Sequence, residues 1–328
     1  MVYLSVMNGM KRLLFGALAV SLTGCVYTTP PELPPVSDLV WIPGGDFLMG
    51  SDESYPEEAP QHHVRVPGFW MDTHEVTNRE FQAFVEATGY VTDAERPLDP
   101  TLFPEFSAEM LVPGSSVFGY QQESGRWWRF VAGAYWRHPE GADSSIEERL
   151  DHPVVHVTPA DARAYAAWRG NSLPTEAQWE FAAGDARPFY EQDGAVRYVA
   201  NTWQGDFPRT NTAEDGYLVT APVESFPPNQ YGLYDMLGNV WEITADRYAP
   251  FHDTKEVENP AGCHETKSHD PQKPGVDVQV IKGGSFLCAP NYCRRYRATA
   301  RHSQDMTLGT SHIGFRTVRV PSSAASER

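Results

Sequence analysis

The chain has little of what marks the commonest functional classes. Four cysteines in 328 residues, Cys25, Cys263, Cys288 and Cys293, are too few for a disulfide-stapled scaffold. Basic residues are also scarce: 26 Lys and Arg stand against 43 Asp and Glu, a formal charge of −17. The one local concentration is Arg294, Arg295 and Arg297. A nucleic-acid binder needs a basic stripe against the phosphates, so no nucleic-acid partner is expected, and a neutral or basic partner suits the chain better. After the N-terminal leader no apolar run approaches the ~18 residues that span a bilayer. No internal repeat, Walker loop, dinucleotide-binding glycine fingerprint or H-E-x-x-H motif occurs, which removes nucleotide and zinc-protease chemistry. What is plentiful is the loop former: 26 Gly and 27 Pro.

The N-terminus carries an address. Lys11 and Arg12 precede the apolar run LLFGALAVSL, which ends in Leu22-Thr23-Gly24-Cys25. This order resembles a bacterial lipobox, with residues 1–24 as the leader and Cys25 as the lipidated residue. Residues 25–38, with VYTTPPELPPVSD, read as a proline-rich linker. The expected location is the cell envelope, lipid-anchored and facing the periplasm or the exterior. A domain over 39–321 and a tail over 322–328 complete the division.

Within the domain, LVWIPGGDFLMG reads as two short strands in a hairpin about Pro43-Gly44-Gly45. Thr77, Thr158 and Thr175 each open a helix: Thr77 and Glu80 form a capping box, Pro159 takes the first helical position after Thr158, and Gln178 answers Thr175. Elsewhere apolar residues are scattered without a sustained period, between PPNQYG, MLGN and FPRTNTAEDG turns. The expected fold class is α+β, an irregular, loop-rich single domain. The stretch 96–125 reads as an insert.

Cys288 and Cys293 are separated by Ala-Pro-Asn-Tyr. On a strand, a spacing of five would send the thiols to opposite faces, and on a helix it would set them well round the cylinder, so only a bend unites them. Ala289-Pro290-Asn291 provides one. Two convergent thiols then have three fates. A disulfide across so short a loop would stabilise by only ~2 kcal/mol. A tetrahedral zinc site lacks two ligands of the usual spacing, Cys263 and His264 being badly placed. Two thiolates alone suit a soft ion of low coordination number, Cu(I).

The segment KGGSFLCAPNYCRRYRATAR, followed by IGFRTVRV, resembles the active-site segment of the formylglycine-generating enzymes, the sulfatase-modifying family. WIPGGDFLMGS, GAYWRHPEGADSS, SLPTEAQWEFAA, NTWQGDFPRTN and GLYDMLGNVWE match it in order, so the resemblance covers most of 40–320. It implies a C-type-lectin-like fold and an oxidoreductase that uses Cu(I) and O2 to convert the cysteine of a Cys-x-Pro-x-Arg motif, in an unfolded sulfatase polypeptide, to formylglycine. By that resemblance Cys288 and Cys293 hold copper, and Ser285 and Tyr292 orient oxygen or the substrate thiol. Trp136 and Trp241 wall the peptide groove. It further implies structural Ca2+ at two sites. One uses Asn201, Thr202, Asp215 and Tyr217; the other uses Leu237, Gly238, Val240 and Glu242, with Asn239 among them.

The chain departs from the family in places: Ala166 stands where relatives often have a helix cysteine, and FYEQDG replaces the usual turn after the third helix. Cys263 is expected to be a free surface thiol, and the enzyme a monomer. His152 and His156 are expected to fill hydrogen-bonded rather than metal-ligating positions in an alternating strand, and His62 and His63 to form a surface or strand-edge pair. The alternative reading is a non-catalytic scaffold lipoprotein of the same fold, against which the retained cysteine pair speaks.

Overall fold

The computed structural model describes residues 38–102, 107, 111–193, 195–255, 257–259 and 268–321. Cys25, Cys263, the leader, nearly all the linker and the tail lie outside them. In chain order the elements are β1 (Leu39–Ile42), β2 (Gly45–Met49), β3 (His62–Val66), β4 (Phe69–Asp72), α1 (Asn78–Thr88), β5 (Gly114–Gln121) and β6 (Arg126–Ala132). There follow α2 (Pro159–Trp168), α3 (Glu176–Ala183), β7 (Phe189–Gln192), β8 (Ala195–Tyr198), β9 (Gly205–Asp206) and β10 (Thr210–Asn211). The last are β11 (Trp241–Arg247), β12 (Val278–Lys282), β13 (Arg301–Asp305), β14 (Ile313–Gly314) and β15 (Val318–Arg319).

The three helices start where local chemistry places them. Thr77 Oγ1 accepts from the Glu80 amide at 3.2 Å while Glu80 Oε2 accepts from the Thr77 amide at 2.8 Å. Thr158 with Asp161 and Thr175 with Gln178 repeat the reciprocal pattern. Each cap satisfies amides that the first helical turn leaves without partners. Gly89, at φ 68°, closes α1 in the left-handed conformation.

The expected hairpin at 39–50 does not form. β1 pairs with β4, Ile42 opposite Phe69, and β2 pairs with β3, Met49 opposite His62. At Gly44 (φ 72°) a side chain would meet Val66 O at 2.4 Å. Pro43-Gly44-Gly45 is therefore a corner that passes the chain between two sheets rather than a reverse turn.

β1, β4 and β15 make one three-stranded sheet, and β13-β12-β11-β14 make the central sheet, in which β11 and β14 alone run parallel. The supposed insert also proves partly structural. β5 and β6 form a hairpin, and Ser115 Oγ donates to Gly309 O at 2.6 Å, fastening it to the body. One apolar cluster lies under the β1 sheet and α3; a second, holding Phe81, Trp136, Tyr165, Trp241, Phe315 and Cys288, lies under the central sheet.

Candidate active site

β12 is buried along its whole length and leads directly to the cysteine loop. Gly283 and Gly284, at φ 91° and 78°, turn the chain out of the sheet. A Cβ on Gly284 would sit 2.9 Å from Arg295 O, so the turn and the returning arm of the loop touch backbone to backbone. Three backbone bonds stitch the loop to its neighbours: Gly238 N to Gly283 O (3.0 Å), Phe286 N to Asn239 O (2.9 Å) and Trp203 N to Cys288 O (3.0 Å). The expected bend is present: the Tyr292 amide donates to Ala289 O at 3.2 Å, and the Cys288 amide to Ser285 O at 2.9 Å.

The bend brings the two sulfurs to 3.2 Å. That is far beyond the ~2.05 Å of a disulfide, and both cysteines are free. Cys288 is buried and Cys293 only partly so. Burial first, and then the neighbouring sulfur, pushes the Cys288 thiol well above its ordinary value. The hydrogen bond from Cys288 draws Cys293 down to about 6, assisted by the Arg295 backbone and guanidinium. The two sulfurs share one hydrogen bond, in which either can donate.

Beside the sulfurs, Tyr292 is 55% exposed and stacks on Phe207 at 4.4 Å. Trp127 of β6 meets both rings edge-on, at 5.7 and 5.8 Å. Ser285 is fully buried, and its hydroxyl accepts from the Leu287 amide at 3.3 Å. Trp136 and Trp241 do not offer the groove wall expected of them: they are 0% and 3% exposed and belong to the core that backs Cys288. Beside the cysteines the exposed and part-exposed aromatic rings include Tyr292 and Trp127. The alternating RWWRF after an ESG turn could have marked that hairpin; Phe207, from the NTWQGDFP stretch, carries no such pattern.

A cation fits the first expected calcium position. Asn201 is fully buried with Oδ1 lacking any partner, beside the Thr202 backbone and Asp215, which in turn accepts from the Thr202 and Tyr217 amides at 2.8 and 3.0 Å. Hard oxygen donors with one orphaned oxygen suit Ca2+. The second set fits less well. Leu237, Gly238 and Val240 adjoin it, but Glu242 is already neutralised: Arg316 donates to its two oxygens at 2.7 and 2.8 Å, and Trp179 Nε1 donates at 2.9 Å. The orphaned acidic oxygens nearby lie instead on Glu75, both of them, and on Asp235 Oδ1. Asn239 Oδ1 accepts from the Ala221 amide and the Asn201 side chain, which ties the two regions together.

The histidines are hydrogen-bonded as expected, although not in a strand: His152 Nδ1 faces Thr220 Oγ1 at 2.9 Å and His156 Nδ1 faces Ser115 Oγ at 2.8 Å. No group of three or more His, Cys, Asp or Glu able to hold a metal occurs among the described residues.

Loop-rich packing around a bent two-thiol loop defines a class, and comparison with known proteins agrees on which. The profile of the Sulfatase-modifying factor enzyme 1-like domain matches residues 27–321. The chain is 48% identical over 300 residues to the formylglycine-generating enzyme of Mycobacterium tuberculosis, covering 87% of this chain and 99% of that one. It is 46% identical over 304 residues to that of Thermomonospora curvata, covering 89% and 96%. Among solved structures, PvdO from Pseudomonas aeruginosa superposes with a TM-score of 0.60 at 26% identity, covering 86% and 94%. The chain belongs to the formylglycine-generating enzyme family.

Proposed function

We propose that this enzyme converts the cysteine of a Cys-x-Pro-x-Arg motif in an unfolded sulfatase to formylglycine, using Cu(I) and O2. The observation that carries the reading is the 3.2 Å pair of free sulfurs, one buried and one reachable. Cys288 and Cys293 would hold the copper, which when bound supplies the one-electron chemistry needed to bring O2 to a C–H bond. Overall, the substrate CH2–SH and one O2, with two electrons and two protons from an external reductant, become an aldehyde, hydrogen sulfide and water. The protein's own share is positional. Tyr292 and Trp127 offer the exposed apolar shelf for the peptide, Ser285 and the Gly283-Gly284 turn hold the cysteine loop, and the aromatic core beneath Cys288 excludes water. An acidic protein suits a motif that ends in arginine.

The test is incubation of copper-loaded protein with a Cys-Thr-Pro-Ser-Arg peptide under air, with Cys293→Ser as control. Aldehyde from the wild type alone supports the reading, and no aldehyde from copper-loaded wild type sinks it.

The proposal extends to calcium at Asn201, Thr202, Asp215 and Tyr217. For a second ion, Asp235 replaces Glu242 as the acidic donor, beside Leu237, Gly238 and Val240. Calcium at ~100 times its dissociation constant should then raise stability by about 2.7 kcal/mol. Asp215→Asn should lose that response in a calcium-titrated melt. Lipid attachment at Cys25 is likewise proposed. Labelled palmitate should enter the chain and be absent from Cys25→Ser; equal labelling would refute it.

A further inference from the structure

The Arg295 guanidinium is gripped from two directions and aimed in a third. Glu57 Oε1 accepts from Nε at 3.0 Å and from Nη2 at 2.5 Å. The Tyr55 ring centre lies 4.0 Å from the guanidinium carbon, covering one face. The remaining corner, Nη1, lies 3.9 Å from Cys293 Sγ.

The gripping segment is itself immobilised. Tyr55 Oη accepts from the Arg294 amide at 3.3 Å, and Arg297 lies over the same ring at 5.5 Å. Glu58 is fully buried, pairs with Arg297 and accepts from Thr299 Oγ1 at 2.7 Å. Glu57 O accepts from Arg301 Nη1 at 3.2 Å, while Arg301 forks onto the buried Glu176 at 2.9 Å on each arm.

A guanidinium is planar and rigid, so fixing one edge and one face fixes the direction of its last N–H group. A lysine would satisfy Glu57 as a point charge and transmit no direction. Charge balance alone does not call for an aromatic floor, a forked acceptor and a second arginine on the same ring. What this arrangement does define is where Nη1 points.

We propose that Tyr55, Glu57 and Arg295 are positioning residues for the reaction, fixing a donor on the Cys293 sulfur and thereby holding that thiol toward Cys288. The proposal rests on the copper-dependent reading above and deepens it, since residues some 238 positions away in sequence set the geometry of one ligand. Outer partners of metal ligands act in this way by orienting the atom that binds.

The full chain is compared with Glu57→Ala, Glu57→Gln and Arg295→Lys in three measurements. These are Cu(I) affinity by competition with a chromogenic chelator, the rate at which iodoacetamide alkylates Cys293 in metal-free protein at fixed pH, and the melting midpoint. Glu57→Ala and Arg295→Lys should weaken Cu(I) binding by about tenfold to a hundredfold. They should also change Cys293 alkylation several-fold. Glu57→Gln keeps the accepting Oε1 and should remain within an order of magnitude of the wild type on both readouts. The proposal is overturned if all variants bind and alkylate as wild type does, or if Glu57→Gln fails as fully as Glu57→Ala. Should wild-type protein bind no Cu(I), the copper reading falls separately, and alkylation decides: unchanged rates overturn the clamp, and rates altered in Glu57→Ala and Arg295→Lys alone sustain it.

Discussion

Replacing Arg316 by methionine should be among the most damaging changes available outside the cysteine loop. Arg316 is fully buried and uses all five donors: Nε and Nη2 on Glu242, Nη2 again on Tyr234 O at 2.9 Å, and Nη1 on Asp72 O and Thr73 O at 3.3 Å each. Glu242 lies on β11 opposite Lys282 of β12, the strand that delivers Gly283 and the cysteines. Removing the guanidinium leaves a buried carboxylate with only Trp179 Nε1 for company. Breaking a buried pair in this way costs about 3–5 kcal/mol, against the ~0–1 kcal/mol of an exposed pair. For a domain of this size that is a fall in melting midpoint of about 10 °C.

The double variant Arg316→Met, Glu242→Gln removes the stranded charge while the amide can still accept from Trp179. It should recover about 2 kcal/mol or more of the single-variant loss, because much of that loss is an uncompensated charge. Calorimetry and urea unfolding of the wild type, both single variants and the double variant supply the cycle. A single variant within 1 kcal/mol of wild type, or a double variant no better than the single, would refute the reasoning.

Asp246 should contribute a fall in stability as pH rises from 6.5 to 8, opposed over the same window by Cys293, whose folded value of about 6 lies below that of an unfolded thiol. Burial, and then Glu176, raises Asp246 from the ordinary carboxyl range to about 8, so the folded state keeps a proton that the unfolded chain has already lost. The Asp246 contribution over that window is about 1.5 kcal/mol. Glu75, also raised by burial, adds in the same sense. Below pH 6.5 the buried His156 and the half-buried His302, depressed to about 4, and His252 and His312, depressed to about 3, oppose it, since the unfolded chain takes up their protons first. Urea unfolding at several pH values should show Asp246→Asn gaining about 1.5 kcal/mol on the wild type between pH 6.5 and 8, and a pH-independent difference would count against the assignment. Gly284→Ala should cost about 1–3 kcal/mol through its positive φ alone and lose aldehyde formation as well, because its Cβ meets Arg295 O. Gly125→Ala, in open space at φ 66°, should share the strain and keep activity; equal activity in both variants would contradict the close approach.

The helices were legible because their signals are local: Thr77, Thr158 and Thr175 each find the answering side chain three residues on. The Cys288–Cys293 bend was legible for the same reason. The sheets were not, since β1 passes over β2 and β3 to pair with β4 while β2 pairs with β3, and no propensity encodes that choice. Trp136 and Trp241 show the limit for the site, because an indole looks alike in sequence whether it lines a groove or fills a core. Glu242 reads as a free donor until Arg316, 74 positions away, is seen to occupy it. Tyr55 and Glu57 were invisible beside the cysteines because only the folded chain brings them there.

The most direct measurement is the Cu(I) stoichiometry of the reduced protein under a competing chelator, with Cys288→Ser and Cys293→Ser alongside. A sulfur pair 3.2 Å apart predicts one ion per wild-type chain and loss of tight binding in each single variant. Retention of tight binding by either variant, or none by the wild type, would contradict the account.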